Sequence, residues 1–477
     1  MYIHIGRDVF LWCARTPSNP KALGMYFDDV AVIGGGFSGT MVAVNLAKEA
    51  SPTLKIALID RAPAGLGVAY GTLDPQHILN VRAGQMGAFA DDAGHFWTWL
   101  QNNPDKLHAM GVKDADANSF IPRLVYGQYL QNIMRETQAK HPNLQLIHDE
   151  IVDVEKLPDG AFKLTALSGA IHQARQVVLA LGNFPPGEKT TSTKTENPYS
   201  PEVWKRLAEP GDVLIIGTGL TSLDLVMTLS HTKKEGKIHL LSRRGLLPRV
   251  HIVPETHPSF MDEKLLPKSA LELLRRVREE IRKAAQRHIP WQHIVDALRP
   301  LNQKIWENLN EREQRHFLRF LRAYWDVHRH RCAPEVMAVY ERLEKEGRLI
   351  LHRGHIVSQA PRADGLEVIW RPSGKEALQS FVVKQVVNCT GPQADPRKLD
   401  DQLVKNLLKR GLVTPDRLCV GIATSPDYVV LNALGKPIPG LYAMGSLLKG
   451  RLYESIAVPE LRQQAAAVAN FVSAANA

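Results

Sequence analysis

Two glycine turns carry the chemistry that can be read most directly from this sequence. The first, Gly34-x-Gly36-x-x-Gly39 in VAVIGGGFSG, follows an apolar run and opens a helix-like stretch, TMVAVNLAKEA. Gly34 permits the tight turn, Gly36 lets a pyrophosphate approach the backbone, and Gly39 allows helix and strand to pack closely. The helix start at Phe37 and Ser38 turns free N–H groups and a positive dipole end toward phosphate. Asp60, with Arg61 after it, ends the next strand about 20 residues on, where a carboxylate can accept a ribose hydroxyl.

The second turn, Gly217-x-Gly219-x-x-Ser222 in VLIIGTGLTSLD, has a serine in the third place. Its following strand, KIHLLS, ends in Ser242-Arg243-Arg244 and lacks the carboxylate. An acid there would repel a 2′-phosphate, whereas a hydroxyl and two guanidiniums can bind one. Different strand endings suggest different dinucleotides. The economical assignment is FAD at the first turn and NADPH or NADH at the second, with the arginines favouring NADPH. Hydride then passes from nicotinamide to flavin, and the protein supplies alignment.

Positioning two such turns requires an α/β chain with two Rossmann-like dinucleotide-binding domains and a helical insertion. Residues 25–190 are expected to begin the FAD-binding domain and 205–390 to form the NAD(P)H-binding domain. A helical insert falls at about 255–346, and 391–477 return to the first domain. Residues 1–24, interrupted by Arg7 and Asp8 and without a clean cleavage site, read as a dispensable leader before Met25.

Composition narrows the classes further. With 477 residues, 44% hydrophobic and 23% charged, the chain can bury a core without disulfides or metals. Cys13, Cys332, Cys389 and Cys419 lie far apart, which suits neither zinc nor a flavin disulfide reductase that works through a neighbouring pair. No metal site is expected. No window is long and apolar enough to span a membrane, and a cytoplasmic location with reduced thiols is expected. The net charge of +10 is spread along helices without a nucleic-acid motif, which favours small anions as partners. A homo-oligomer is left open.

The sequence resembles the two-dinucleotide-binding flavoproteins, and within them the FAD/NAD(P)-binding family of HpyO-type urate hydroxylases and CreE-type aspartate N-hydroxylases. The carriers are VAVIGGGFSG, GLGVAYGTLDPQHILNVRAGQMGAF, GTGLTSLD, LLSRRGLLP, AYWDVHRHR, VVNCTGP with Gly391, and LYAMGSLLKGRLYESIAVPELR. The resemblance implies that Asn80 and Val81 lie near the isoalloxazine ring, Asn80 being a catalytic candidate. It also implies that Gly445-Ser446 stands where many relatives have Gly-Asp bonding the ribityl chain, with Ser446 able to donate or accept one hydrogen bond. The last helix, from Val458 with Pro459 in its first position, would turn its amides near Ile456 to Glu460 toward the anionic edge of reduced flavin.

Within the insert, a helical wheel over 315–329 puts Arg315, Arg319, Arg322, Asp326 and Arg329 on a solvated face. Phe317, Phe320, Leu321, Tyr324, Trp325 and His328 then form the inward stripe. The end from Tyr324 to Arg331, with His328 as the second catalytic candidate, borders the substrate or nicotinamide pocket in this reading. The resulting expectation is an FAD-dependent, NAD(P)H-oxidising monooxygenase. It would take up O2 and hydroxylate a small anionic substrate through an oxygen adduct of the reduced flavin, urate being the specific guess. The alternatives are an amino-acid N-hydroxylase, a reductase of a quinone or protein acceptor, and a non-catalytic dinucleotide sensor.

Overall fold

A computed structural model describes residues 25–112, 114–187, 198–199, 201–232, 235–253 and 255–475. The leader therefore lies outside the described residues. Apolar runs such as Val30 to Ile33 and Ile56 to Ile59 become parallel strands buried on both faces, which is why they read as continuous rather than alternating hydrophobic stretches. The strands of the first half are β1 (Met25–Ile33), β2 (Ile56–Asp60), β3 (Leu144–His148), β4 (Ile151–Lys156), β5 (Phe162–Ala166) and β6 (Ile171–Leu179). The second sheet is built from β7 (Val213–Ile216), β8 (Ile238–Ser242), β9 (Leu349–Arg362), β10 (Gly365–Pro372), β11 (Gln379–Val383) and β12 (Gln385–Asn388). The chain ends with β13 (Val429–Leu431), β14 (Pro437–Ala443) and the helix Val458–Ala474.

The first sheet runs β13-β14-β6-β1-β2-β3, with the β4–β5 hairpin joined to β6. It is thus made from both ends of the chain, because β14 pairs in parallel with β6 through Leu441↔Val177 and Ala443↔Leu179. The second runs β11-β10-β9-β8-β7-β12, parallel from β12 to β9 and antiparallel beyond. Each glycine turn follows a strand with parallel neighbours on both sides, β1 in one sheet and β7 in the other. In an open sheet that is where the crevice beyond the strand ends receives a ligand.

Between β8 and β9 the chain forms helices, the longest being Ala270–Gln286, with Ser269 capping Glu272 N–H at 3.1 Å. The wheel drawn for 315–329 fails here for a specific reason. Residues Phe317–Leu321 form a π-helical turn, which adds a residue and rotates everything after it by about 100° relative to an α-helix. Phe317 stays buried, but Phe320 and Tyr324 emerge at 54% and 50% exposure. Arg329, placed on the solvated face by the wheel, turns in to pair with Glu454 and Glu460 instead.

One buried polar stack stabilises the second sheet. His239 on β8 and His352 on β9 lie 2.9 Å apart, Nδ1 to Nε2, with the Phe381 ring stacked 4.5 Å from His239. Asp212 holds the other His239 nitrogen at 3.2 Å. Burial pushes His352 down to about 4, helped by neighbouring His239, and burial lowers His239 too. A histidine whose folded pKa lies below its free value of about 6.5 takes up protons on unfolding, so its stabilisation is complete above that pH and lost as pH falls toward the folded value. Thermal unfolding followed by circular dichroism should therefore show the midpoint dropping between pH 7 and pH 5. The drop should be shallower in His352→Gln; equal slopes would show that this pair does not set the acid sensitivity.

Candidate dinucleotide sites

At the first turn, Gly34 has φ +102°, and a Cβ there would stand 2.4 Å from the Ala180 carbonyl oxygen. A Cβ on Gly39 would meet the Gly34 carbonyl at 1.8 Å, so both positions require glycine for packing. Gly36 differs, since a Cβ would find only the Gly67 Cα at 3.7 Å. It caps the helix Phe37–Glu49, which has no side-chain cap and no acidic residue in its first turn. The N–H groups at Phe37 and Ser38 are thus met by no capping side chain and by no acid of their own first turn. The Asp60 carboxylate is held there by the N–H groups of Gly35 and Ala62, the latter at 2.6 Å. Arg61 turns outward to Glu150.

The opposite wall comes from the chain's end and from the 65–71 stretch. Gly445, at φ +75°, lies against Ser38, whose Oγ would be 3.2 Å from a Cβ at Gly445. The Gly445 N–H donates to buried Gln464 at 3.2 Å. Ser446 donates its hydroxyl proton to the Gly182 carbonyl, so only its acceptor capacity faces a ligand. Gly65 N–H bonds Gly35 O at 2.8 Å and Thr40 Oγ1 at 2.9 Å, laying residues 65–67 over the turn. Thr40 and Gly65 have no isolated sequence signal; their meaning appears only when strand and loop meet.

The second turn repeats this geometry with more open space. Gly217, at φ +112°, packs on the Cys389 carbonyl, while a Cβ at Gly219 would meet nothing within 4 Å. Gly219 starts the helix Leu220–Ser230, again without a side-chain cap or an acidic first turn. Ser222 is fully buried, as the third motif position requires. Gly391, at φ +92°, sits just beyond β12 with open space where a side chain would point. The Ser242 hydroxyl is 2.9 Å from Thr218 Oγ1 and accepts Gly245 N–H at 3.0 Å, so it shapes the β8 exit. Arg243 is exposed and Arg244 half-buried, and among the described residues neither has a carboxylate within 4.0 Å.

A helix joins the two turns. Arg123–Lys140 backs the covering stretch, because Cβ atoms at Gly65 and Gly127 would strike Leu130 and Leu66. Its first residue, Arg123, is paired at 3.0 Å with Asp224 on the helix opened by the second turn. Tyr199 donates to Asp224 at 2.8 Å. Burial opposes the Arg123 charge, but Asp224 and Tyr199 outweigh it and hold its pKa above the ordinary value. Beside this pair, fully buried His77 bridges Thr72 at 2.7 Å and Thr228 at 2.9 Å.

Asn80 and Val81 lie at this joint. The Asn80 carbonyl accepts His251 Nε2–H at 2.9 Å, and Arg82 donates to the carbonyls of Asn118 and Ile252. Burial, with the Arg331 charge behind it, pushes His251 down to about 4, so the ring is neutral near pH 7. His328 lies on the insert helix: its Nδ1 bonds the Tyr324 carbonyl at 2.7 Å and its ring meets Trp291 edge-on at 4.7 Å. The carbonyl of its neighbour Val327 accepts the Arg249 N–H at 2.9 Å, which sets this helix end beside the stretch carrying His251, the partner of Asn80. The last helix begins at Val458, making Pro459 its second residue. Glu460 in its first turn takes Arg299 at 2.9 and 3.2 Å and Arg329 at 3.2 Å, so its N-terminus carries a neutralised acid, and the Glu460 and Leu461 N–H groups already bond the Ala457 carbonyl.

With this geometry in view, comparison with known proteins is informative. The family described as FAD-NAD(P)-binding matches residues 31–184, the segment holding the first turn. Ferredoxin–NADP reductase 1 of Listeria monocytogenes is 28% identical over 128 residues, covering 26% of this chain and 38% of that protein. The Listeria innocua counterpart is 30% identical over the same shares, so the chain spans less than two-fifths of the length of these relatives. Among solved structures, the reduced ornithine hydroxylase of Pseudomonas aeruginosa superposes with a TM-score of 0.64 at 15% identity, over 94% of this chain and all of that one. L-lysine 6-monooxygenase of Pseudomonas syringae gives 0.62 at 14%, over 94% and 99%. The ornithine N-hydroxylase of Kutzneria sp. 744 gives 0.62 at 15%, over 94% and 100%. The chain is thus an α/β protein with two Rossmann-like sheets, built like the two-dinucleotide-binding-domain flavoproteins.

The two glycines of the first turn separate binding from folding. Gly36→Ala should keep the melting profile of flavin-free wild type but lose most bound flavin, because its Cβ obstructs only the phosphate approach. Gly39→Ala should lower the melting temperature and the soluble yield, because its Cβ collides with backbone. Flavin-to-protein absorbance ratios and melting curves check both; normal flavin content in Gly36→Ala would exclude this turn as the phosphate site.

Proposed function

We propose that the protein is an FAD-dependent, NAD(P)H-oxidising monooxygenase of a small anionic substrate. The observation carrying this reading is the pair of uncapped glycine-turn helices, the second tied by Asp224 to Arg123 on the helix that backs the cover of the first turn. One is paired with a carboxylate at the end of its next strand, the other with unpaired arginines. The residues fit both groups. Phe37, Ser38 and Asp60 would hold the pyrophosphate and ribose of FAD, with Gly445 and Ser446 against its ribityl side. Gly219 and the amides after it would take the nicotinamide dinucleotide, and Arg243 and Arg244 its 2′-phosphate. A bound flavin supplies two-electron chemistry with nicotinamide and reaction with O2.

This chain's own residues orient and shield. Asn80 and Val81 are held at the joint by neutral His251, which donates its Nε2 proton to the Asn80 carbonyl and carries no charge to attract water. The positive balance of the chain favours an anionic substrate. Resemblance to N-hydroxylating folds supports oxygen transfer, with urate and amino acids as the substrates to screen. Cys389, beside the second turn, is buried with its thiol pushed well up, which does not suit a reactive thiolate in a disulfide reductase.

Anaerobic reduction of the flavin-loaded protein by NADPH, followed by O2 in the presence of urate or amino acids, should give a product heavier by one oxygen atom by mass spectrometry, that atom carrying the label when isotopically labelled O2 is used. Reduction with electrons passing to quinones or dyes and no labelled product would favour the reductase. A flavin that neither nicotinamide bleaches would leave only a sensor. For cofactor choice, Arg243→Ala/Arg244→Ala should raise the NADPH KM at least about tenfold, the scale of a lost charge-assisted pair, and barely move that of NADH. Unchanged constants for both would place the 2′-phosphate elsewhere.

A further inference from the structure

Beyond β8 the structure gathers more than the two arginines of the motif. Arg353 on β9 is paired with Ser242 in register, and its Cβ would lie 3.3 Å from a Cβ at Gly245. Ser373 ties the two strand exits together, donating Oγ–H to the Arg243 carbonyl at 3.1 Å and N–H to the Arg353 carbonyl at 2.9 Å. Arg353 is exposed and, like Arg243 and Arg244, has no carboxylate within 4.0 Å among the described residues. Three guanidiniums thus share one edge without a counter-charge, in a chain where Arg362, Arg397 and Arg410 are all paired.

The second observation comes from the insert. Its π-turn carries Tyr324 out of the helical core to half exposure, and the Arg244 guanidinium lies 5.9 Å from the centre of the Tyr324 ring. A large half-exposed aromatic face beside unpaired arginines offers stacking and charge together, the two features that a purine nucleotide phosphate uses. The edge of β8 is also where the adenosine half of a dinucleotide seated on the second turn must lie.

We propose that Tyr324 and Arg353 complete an adenosine-2′-phosphate pocket. Tyr324 stacks on the adenine, and Arg353 joins Arg243 and Arg244 on the 2′-phosphate. The helical insert then forms part of the nicotinamide cofactor site. This rests on the assignment of a nicotinamide dinucleotide to the second turn. The pocket discriminates by parts, since stacking is indifferent to the phosphate and Arg353 reads only the phosphate.

Calorimetric titration of the flavin-loaded protein with 2′,5′-ADP and with 5′-AMP separates these roles. Tyr324→Ala should weaken both probes about tenfold, the scale of one lost base stack, and Tyr324→Phe should restore both. Arg353→Ala should weaken 2′,5′-ADP about tenfold, the scale of one lost charge-assisted contact, and leave 5′-AMP unchanged. Flavin content and melting temperature serve as controls for folding. The proposal is overturned if the wild type binds 2′,5′-ADP while Tyr324→Ala, folded and yellow, binds both probes normally, or if Arg353→Ala weakens both alike. If the wild type binds neither probe and NADPH and NADH both fail to reduce its flavin, the cofactor assignment itself falls.

Discussion

The buried ion pair between Arg123 and Asp224 is the constraint on which the rest of this architecture hangs. Each partner belongs to a helix that already serves a glycine turn: Arg123 begins the helix backing the cover of the first, and Asp224 lies in the helix opened by the second. Removing either partner would strand a buried charge at a cost of about 3–5 kcal/mol, a large fraction of the 5–15 kcal/mol that typically separates folded from unfolded. The pair therefore does more than add stability. It specifies how the helix opened by the second glycine turn sits against the cover of the first, and the His77 bridge to Thr228 repeats the specification one helical turn further on.

The insert is anchored by the same means at the other side. Arg299 and Arg329 grip Glu460 on the last helix, and Trp325 donates to buried Glu454 at 2.9 Å. Burial works against the Glu454 charge, but Arg329, His330 and Trp325 prevail and hold its carboxyl below the usual range. The helices between β8 and β9 are consequently a wall shared by the second domain and by the returning segment of the first. Tyr453, at φ +58°, absorbs backbone strain at this contact, with its ring stacked 4.7 Å from Trp306.

Much of this arrangement was legible in the sequence, and the parts that were not share a physical cause. Gly34, Gly36, Gly39, Gly217 and Gly219 could be assigned jobs because a tight turn, a close approach and a packed helix each leave a local mark at a fixed spacing. The arginines after β8 were legible for the same reason. Arg123 with Asp224, and Arg353 with Arg243, were not, since their partners lie a hundred or more residues away and only the sheet order unites them. Tyr324 was misplaced because one π-turn defeats a 3.6-residue count. Ser446 was read as free to donate because nothing in its neighbourhood announces the Gly182 carbonyl that takes its proton.

The first sheet closes only when β14 slides in beside β6, and the first crevice gains its far wall only with Gly445 and Ser446. A chain emerging from the ribosome exposes the second sheet in full before that wall exists. Domains fold broadly in the order in which they are made, so the second domain can mature while the first waits, with β6 paired to β5 over its first half and open from Val177 to Leu179. A chain that stops before β14 keeps the 65–67 cover over the first glycine turn but lacks the wall formed by Gly445 and Ser446.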